Sequence, residues 1–147
     1  MSSLQRHPSF QVLGCESGTP LELPLLLSLI PAGFPSPAED YIDQHLDLND
    51  HLVSHPAATF FVRVVGESMA GDNIQPGDIL VVDRALDAVS GRIVIAVVDG
   101  DFTVKRLRRK NGRIFLEPAN HAFKSVEITP ETDFEVWGVV TFIIHKA

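Results

Sequence analysis

Thr59-Phe60-Phe61-Val62-Arg63-Val64-Val65 runs into Gly66-Glu67-Ser68-Met69, and the reading of the whole chain turns on this junction. The first seven residues are β-branched and aromatic, the composition of a strand, and the glycine ends the run. Ser68 therefore falls just past a strand end, where the backbone turns and a hydroxyl can be offered to a cleft. Serine is also a common turn residue with no chemistry, so its position alone leaves both readings open. Ala70 to Asp78 is dense in Gly, Asp, Asn and Pro and reads as a loop or short helix feeding a second strand, Asp78-Ile79-Leu80-Val81-Val82-Asp83.

Further on, Arg92 to Val98 and Phe102 to Leu107 flank Asp99-Gly100-Asp101, a strong hairpin signal, and Asn111-Gly112 marks another before Arg113-Ile114-Phe115-Leu116-Glu117. Alternation in the second arm puts Lys105 on the same face as Thr103. If protein covers that face, desolvation disfavours the ammonium and leaves a neutral amine that could take a proton from a serine hydroxyl. The competing reading makes Lys105 the first member of a solvated basic cluster, since six of the 12 Lys and Arg residues lie between Lys105 and Arg113.

A chain of 147 residues is one domain by length, and 45% hydrophobic with 21% charged residues is ordinary for a globular protein. A net charge of −7 argues against nucleic-acid binding by a broad basic face, which needs several cationic contacts to phosphates. Cys15, alone, permits no internal disulfide and fits a reducing cytoplasm. The six histidines lack HExxH spacing, so neither a metal site nor a cofactor is expected.

Gly66-Glu67-Ser68-Met69, then Gly77 to Asp83, then Asp99-Gly100-Asp101-Phe102-Thr103-Val104-Lys105 at 37 residues from the serine, resemble the self-cleaving LexA/UmuD family of the bacterial DNA-damage response. The resemblance is nearest to the accessory subunits of error-prone translesion polymerases. It extends to Ala32 through Tyr41, Leu46-Asp47-Leu48-Asn49, His55-Pro56 and Val136-Trp137-Gly138-Val139-Val140, and so covers the chain from about residue 24 to the end.

The resemblance implies a mainly β domain of twisted antiparallel sheets with short N-terminal helices and an extended N-terminal arm. It implies Ser68 as nucleophile, Lys105 as general base, an oxyanion site from backbone N–H groups near Glu67 and Ser68, and cleavage between Ala32 and Gly33, the latter 35 residues before Ser68. A small residue before the bond and glycine after it allow close approach of the hydroxyl. Ala-Gly is the LexA-type choice, where the best-known UmuD proteins have Cys-Gly, a departure that leaves the mechanism intact. Residues 1–32 would be removed and 33–147 retained. The partners implied are a second copy in a homodimer, a RecA filament on single-stranded DNA, and a UmuC-like Y-family DNA polymerase subunit, with the sliding clamp a further candidate.

The remaining segments fit this scheme. Residues 1 to 20 show no periodicity and read as a flexible arm. The apolar run Leu21 to Ile30 is too short and interrupted for a membrane span, and Glu16 and Glu22 speak against a signal peptide, so it reads as an extended strand laid into the chain's own cleft. Ser36-Pro37-Ala38-Glu39 has a capping box, which predicts a helix from Pro37 to about His45, with a second from Asn49 to Val53. Tyr41, Ile42, Leu46 and Leu52 are the expected buried positions. His45, His51 and His55, with no evident Asp partner, read as surface or capping groups. Phe134 to Ile144 is a closing strand that either lies in the core or offers a surface to a second copy.

Three other readings share parts of this pattern. A self-cleaving repressor would need a DNA-binding helix-turn-helix, and the residues before Gly33 have the wrong composition for one. A signal peptidase uses Ser-Lys chemistry in trans but is membrane-anchored. A non-catalytic interaction module needs no working dyad.

Overall fold

Two tight turns set the registers of the central strands. The computed structural model describes residues 6–7, 10–14, 18, 20, 22–26, 42–65, 74–118 and 124–147. Its strands are β1 (Arg6–His7), β2 (Phe10–Gly14), β3 (Glu22–Leu26), β4 (Ile42–Asp47), β5 (Thr59–Val64), β6 (Ile79–Asp83), β7 (Ile93–Val98), β8 (Asp101–Lys110), β9 (Arg113–Glu117), β10 (Val126–Ile128) and β11 (Phe134–Ile144). Asp99 and Gly100 take φ of 48° and 87°, and Asn111 and Gly112 take 51° and 74°. Positive φ at both central residues gives the type I′ turn, whose twist matches that of the flanking strands and which glycine adopts without strain. The first turn sets Val98 against Asp101 and the second sets Lys110 against Arg113, as the Asp-Gly and Asn-Gly signals predict.

The main sheet is antiparallel in the order β1-β2-β5-β6-β11-β7-β8-β9-β10, and β3 pairs with β4 in a separate two-stranded sheet. The eleven-residue β11 is central, bonded to β6 on one side and β7 on the other, so Val139 and Val140 are core residues. Its ladders shift register between Val136 and Gly138 and between Val140 and Phe142. Such bulges bend a long strand and raise its twist. At the first, a side chain on Gly138 would meet Val82 Cγ1 at 2.5 Å, so glycine is what lets β11 lie this close to β6.

Apolar residues on the two faces form two cores. One gathers Val62, Val64, Ile74, Leu80, Val82, Ile95, Phe102, Val104, Trp137 and Val140, and the other Val94, Ala96, Leu107, Leu116 and Val139. The Trp137 ring lies 5.4 Å from the Phe60 ring on β5 and 5.8 Å from the Phe102 ring on β8. Across a flat sheet, four strand steps would put β5 and β8 roughly 19 Å apart. The sheet is therefore curled around Trp137. Arg84 closes over the ring at 4.6 Å and donates from Nε to the Trp137 carbonyl at 2.7 Å.

The N-terminal third departs from expectation. The predicted helix Pro37–His45 has residues 37–41 outside the described set, and Ile42 to His45 are strand, part of β4. Helix propensity is worth only tenths of a kcal/mol per residue, and the ladder with β3 overrides it. Helix α1 (Leu48–Leu52) replaces the expected Asn49–Val53 helix and is capped by Asp47, whose carboxylate accepts from the Asn49 N–H at 2.9 Å. Leu46 and Leu52 are half-buried and Val53 is the core residue here, while the side chains of Tyr41 and Ile42 lie outside the described set. Within residues 1 to 20, β1 and β2 extend the main sheet, β2 pairing with β5 from Phe10 opposite Val64 to Gly14 opposite Phe60. The apolar run contributes the extended β3, whose partner is β4.

Candidate active site around Lys105

Strand β8 alternates two environments. Phe102 and Val104 face the Trp137 core, and Thr103, Lys105 and Leu107 share the opposite face by the strand's period of two. Lys105 stands across from Val94, which is fully buried, and near Leu107, also fully buried. A pocket of about 500 Å³ opens on this face, lined by Val98, Thr103, Lys105, Leu116, Lys124 and Val126, with Asp99 and Asp101 also in its wall. Burial lowers the pKa of Lys105 below the ordinary lysine value of 10.5, because loss of hydration penalises the ammonium. Lys105 is half-buried rather than fully solvated.

Four of the other five cations of the cluster have partners within the chain. Arg108 pairs with Glu117 at 3.0 Å and Arg113 with Glu127 at 3.6 Å, while Arg106 donates to the Gly91 carbonyl and Arg109 to that of Ala88.

Ser68, Glu67, Ala32 and Gly33, the other predicted site residues, lie outside the described residues. Four antiparallel steps separate β5 from β8, so the two run in the same direction. From the level of Phe60 and Phe102, brought together by Trp137, both chains advance toward the same end, β5 toward Gly66 and β8 toward Lys105.

Two His-Asp pairs escaped sequence reasoning. His55 Nδ1 lies 2.6 Å from Asp83 Oδ2, and His145 Nδ1 lies 2.7 Å from Asp78 Oδ1. Both carboxylates are almost fully buried, one at each end of β6, and each also accepts a backbone N–H, from Ala85 at Asp83 and from Gln75 at Asp78. The expectation that His55 has no Asp partner is corrected, because the pairing spans 28 residues. The available signal was the pair of aspartates bracketing an apolar strand, since a carboxylate so placed needs donors. Among the described residues no helix is long and apolar enough to cross a membrane.

Comparison with known proteins places these features in a family. Residues 24–141 match the Peptidase S24-like family model. Protein SamA of Salmonella typhimurium is 50% identical over 123 residues, covering 84% of this chain and 85% of the relative. Protein MucA of Escherichia coli is 48% identical over 120 residues, 81% of this chain and 82% of the relative. The LexA repressor of Colwellia psychrerythraea is 33% identical over 122 residues, 82% of this chain and 57% of that longer protein. The chain belongs to the Peptidase S24-like family, the self-cleaving Ser-Lys peptidases of the LexA/UmuD type.

Proposed function

We propose that this chain cleaves itself once, between Ala32 and Gly33, with Ser68 as nucleophile and Lys105 as general base. The observation that carries the reading is the half-buried Lys105 on the wall of a pocket, its pKa lowered by burial, in a chain of a Ser-Lys peptidase family. A neutral amine takes the Ser68 proton, the oxygen attacks the Ala32 carbonyl, and backbone N–H groups near Glu67 and Ser68 hold the developing oxyanion. The Gly33 amine leaves with a proton returned by Lys105, and water then releases the acyl group from Ser68. Because the substrate is part of the same chain, proximity is already supplied.

In this reading residues 1–32 are shed and 33–147 persist as a DNA-damage response protein of the cytoplasm. The trimmed chain acts as a homodimer with a Y-family translesion polymerase subunit, and a RecA filament on single-stranded DNA promotes the cleavage. The identities to SamA and MucA, over most of each chain, support this assignment over a repressor. Incubating the purified protein at alkaline pH and weighing the products tests the chemistry. A fragment beginning at Gly33 is expected from wild type and not from Ser68→Ala, and trimming of Ser68→Ala at the wild-type rate overturns the reading.

A further inference from the structure

The segment that carries Ser68 leaves β5 after Val64 and returns to β6 at Ile79, and the described residues on either side of it are fastened to each other. Val64 N–H donates to the Asp78 carbonyl at 2.9 Å, and Gly77 N–H donates back to the Val64 carbonyl at 2.8 Å. Ile74, 1% exposed, plugs into the core beside Val62 and Val64. Asp78 stiffens the returning stem: its Oδ2 accepts from Gln75 N–H at 2.8 Å, while its own N–H donates to the Gln75 carbonyl at 3.0 Å.

The remaining carboxylate oxygen of Asp78 is taken by the far end of the chain. β11 runs antiparallel to β6 with Ile143 opposite Leu80 and Ile144 opposite Ile79. Continuing that register by one residue brings His145 level with Asp78, and the Nδ1 to Oδ1 distance is 2.7 Å. Asp78 is 2% exposed. Without His145, one oxygen of a buried carboxylate loses its partner, and the stem is free to shift to find another.

We infer that His145 is a positioning residue for the self-cleavage, acting through the Asp78 carboxylate to fix the returning stem of the segment that bears the nucleophile. The inference rests on the reading of Ser68 as nucleophile. It gives the last residues of the chain a task in the reaction that their distance in sequence from Ser68 conceals.

The test compares full-length wild type, His145→Ala, His145→Asn and Ser68→Ala by their rates of self-cleavage across alkaline pH, with thermal unfolding of each. Displacing a reacting group by about an ångström costs up to about a hundredfold in rate, so His145→Ala should slow cleavage between about tenfold and about a hundredfold at the alkaline plateau. The midpoint of the pH profile, set by Lys105, should stay where it is. His145→Asn, which offers an N–H at nearly the position of Nδ1, should restore most of the rate. Cleavage of His145→Ala at the wild-type rate, with Ser68→Ala inert, overturns the inference and leaves the dyad reading standing. The inference also falls if His145→Asn is as slow as His145→Ala, or if the slowing merely tracks the fraction unfolded. Cleavage of Ser68→Ala at the wild-type rate removes the reading beneath it.

Discussion

Lys105 on β8 stands directly across the ladder from Val94 on β7, and Val94 is wholly shielded from solvent. Facing residues of an antiparallel pair lie about 5 Å apart at Cβ, so the aliphatic stem of the lysine is laid over apolar surface before it reaches the pocket. Burial on this face weakens its hold on a proton.

Self-cleavage should therefore accelerate with rising pH and level off at a midpoint below 10.5, the value of an unburied lysine. The reactive species is the neutral amine, whose fraction grows as pH climbs through the lowered pKa. Rates from gel densitometry across buffers from about pH 7 to about pH 11 would show it. A profile flat over that range, or governed by a midpoint near that of histidine, contradicts the role of Lys105.

Lys105→Met should abolish trimming and leave the fold intact. Folding lowers the pKa of Lys105, so the folded state holds this proton less tightly than the unfolded chain does. The cost to stability is complete below the folded pKa and disappears as pH rises to 10.5. Lys105→Met should thus be at least as stable as wild type at neutral pH, an advantage that shrinks in alkali. Thermal unfolding at several pH values would reveal the trend, and an advantage that grows with pH would refute it.

Gly138→Ala should destabilise the protein by about 1 to 3 kcal/mol through overpacking. The added methyl would meet Val82 Cγ1 at 2.5 Å, and Val82 is completely buried, so neither can move aside cheaply. Adding Val82→Ala should cost less in the Gly138→Ala background than in wild type, a coupling that denaturant titration of the double-mutant cycle can measure.

Removal of His55 should cost about 1 to 3 kcal/mol, because Asp83 Oδ2 is left buried without its donor. The loss should largely vanish when His55→Ala is combined with Asp83→Ala. Equal losses in both backgrounds would show that the pair carries no coupling energy.

The sequence was most informative where local rules act. Asp99-Gly100 and Asn111-Gly112 dictate their turns, and the alternating apolar positions of β8 and β5 need a sheet to be satisfied, so these strands and the face of Lys105 were legible. Ile42 to His45 were not, because a helical capping signal upstream competed with a ladder partner, β3, that lies about twenty residues away in sequence. β10, with only three paired residues, is too short to leave an alternation. The aspartates bracketing β6 were visible, but their histidines come from 28 and 67 residues away, and only the folded chain joins them. For residues 66–73 and 27–41, which hold Ser68 and the bond it would attack, motif spacing is the guide, and they lie outside the described residues.

The sequence contains one tryptophan, and it is the residue around which the sheet curls. Wedged between two phenylalanine rings and roofed by a guanidinium, Trp137 makes the protein its own optical reporter. Its fluorescence should change when β5 and β8 part, and stay constant through any rearrangement that leaves them together. Loosening of the core can thus be followed in the unlabelled chain, separately from the peptide-bond chemistry.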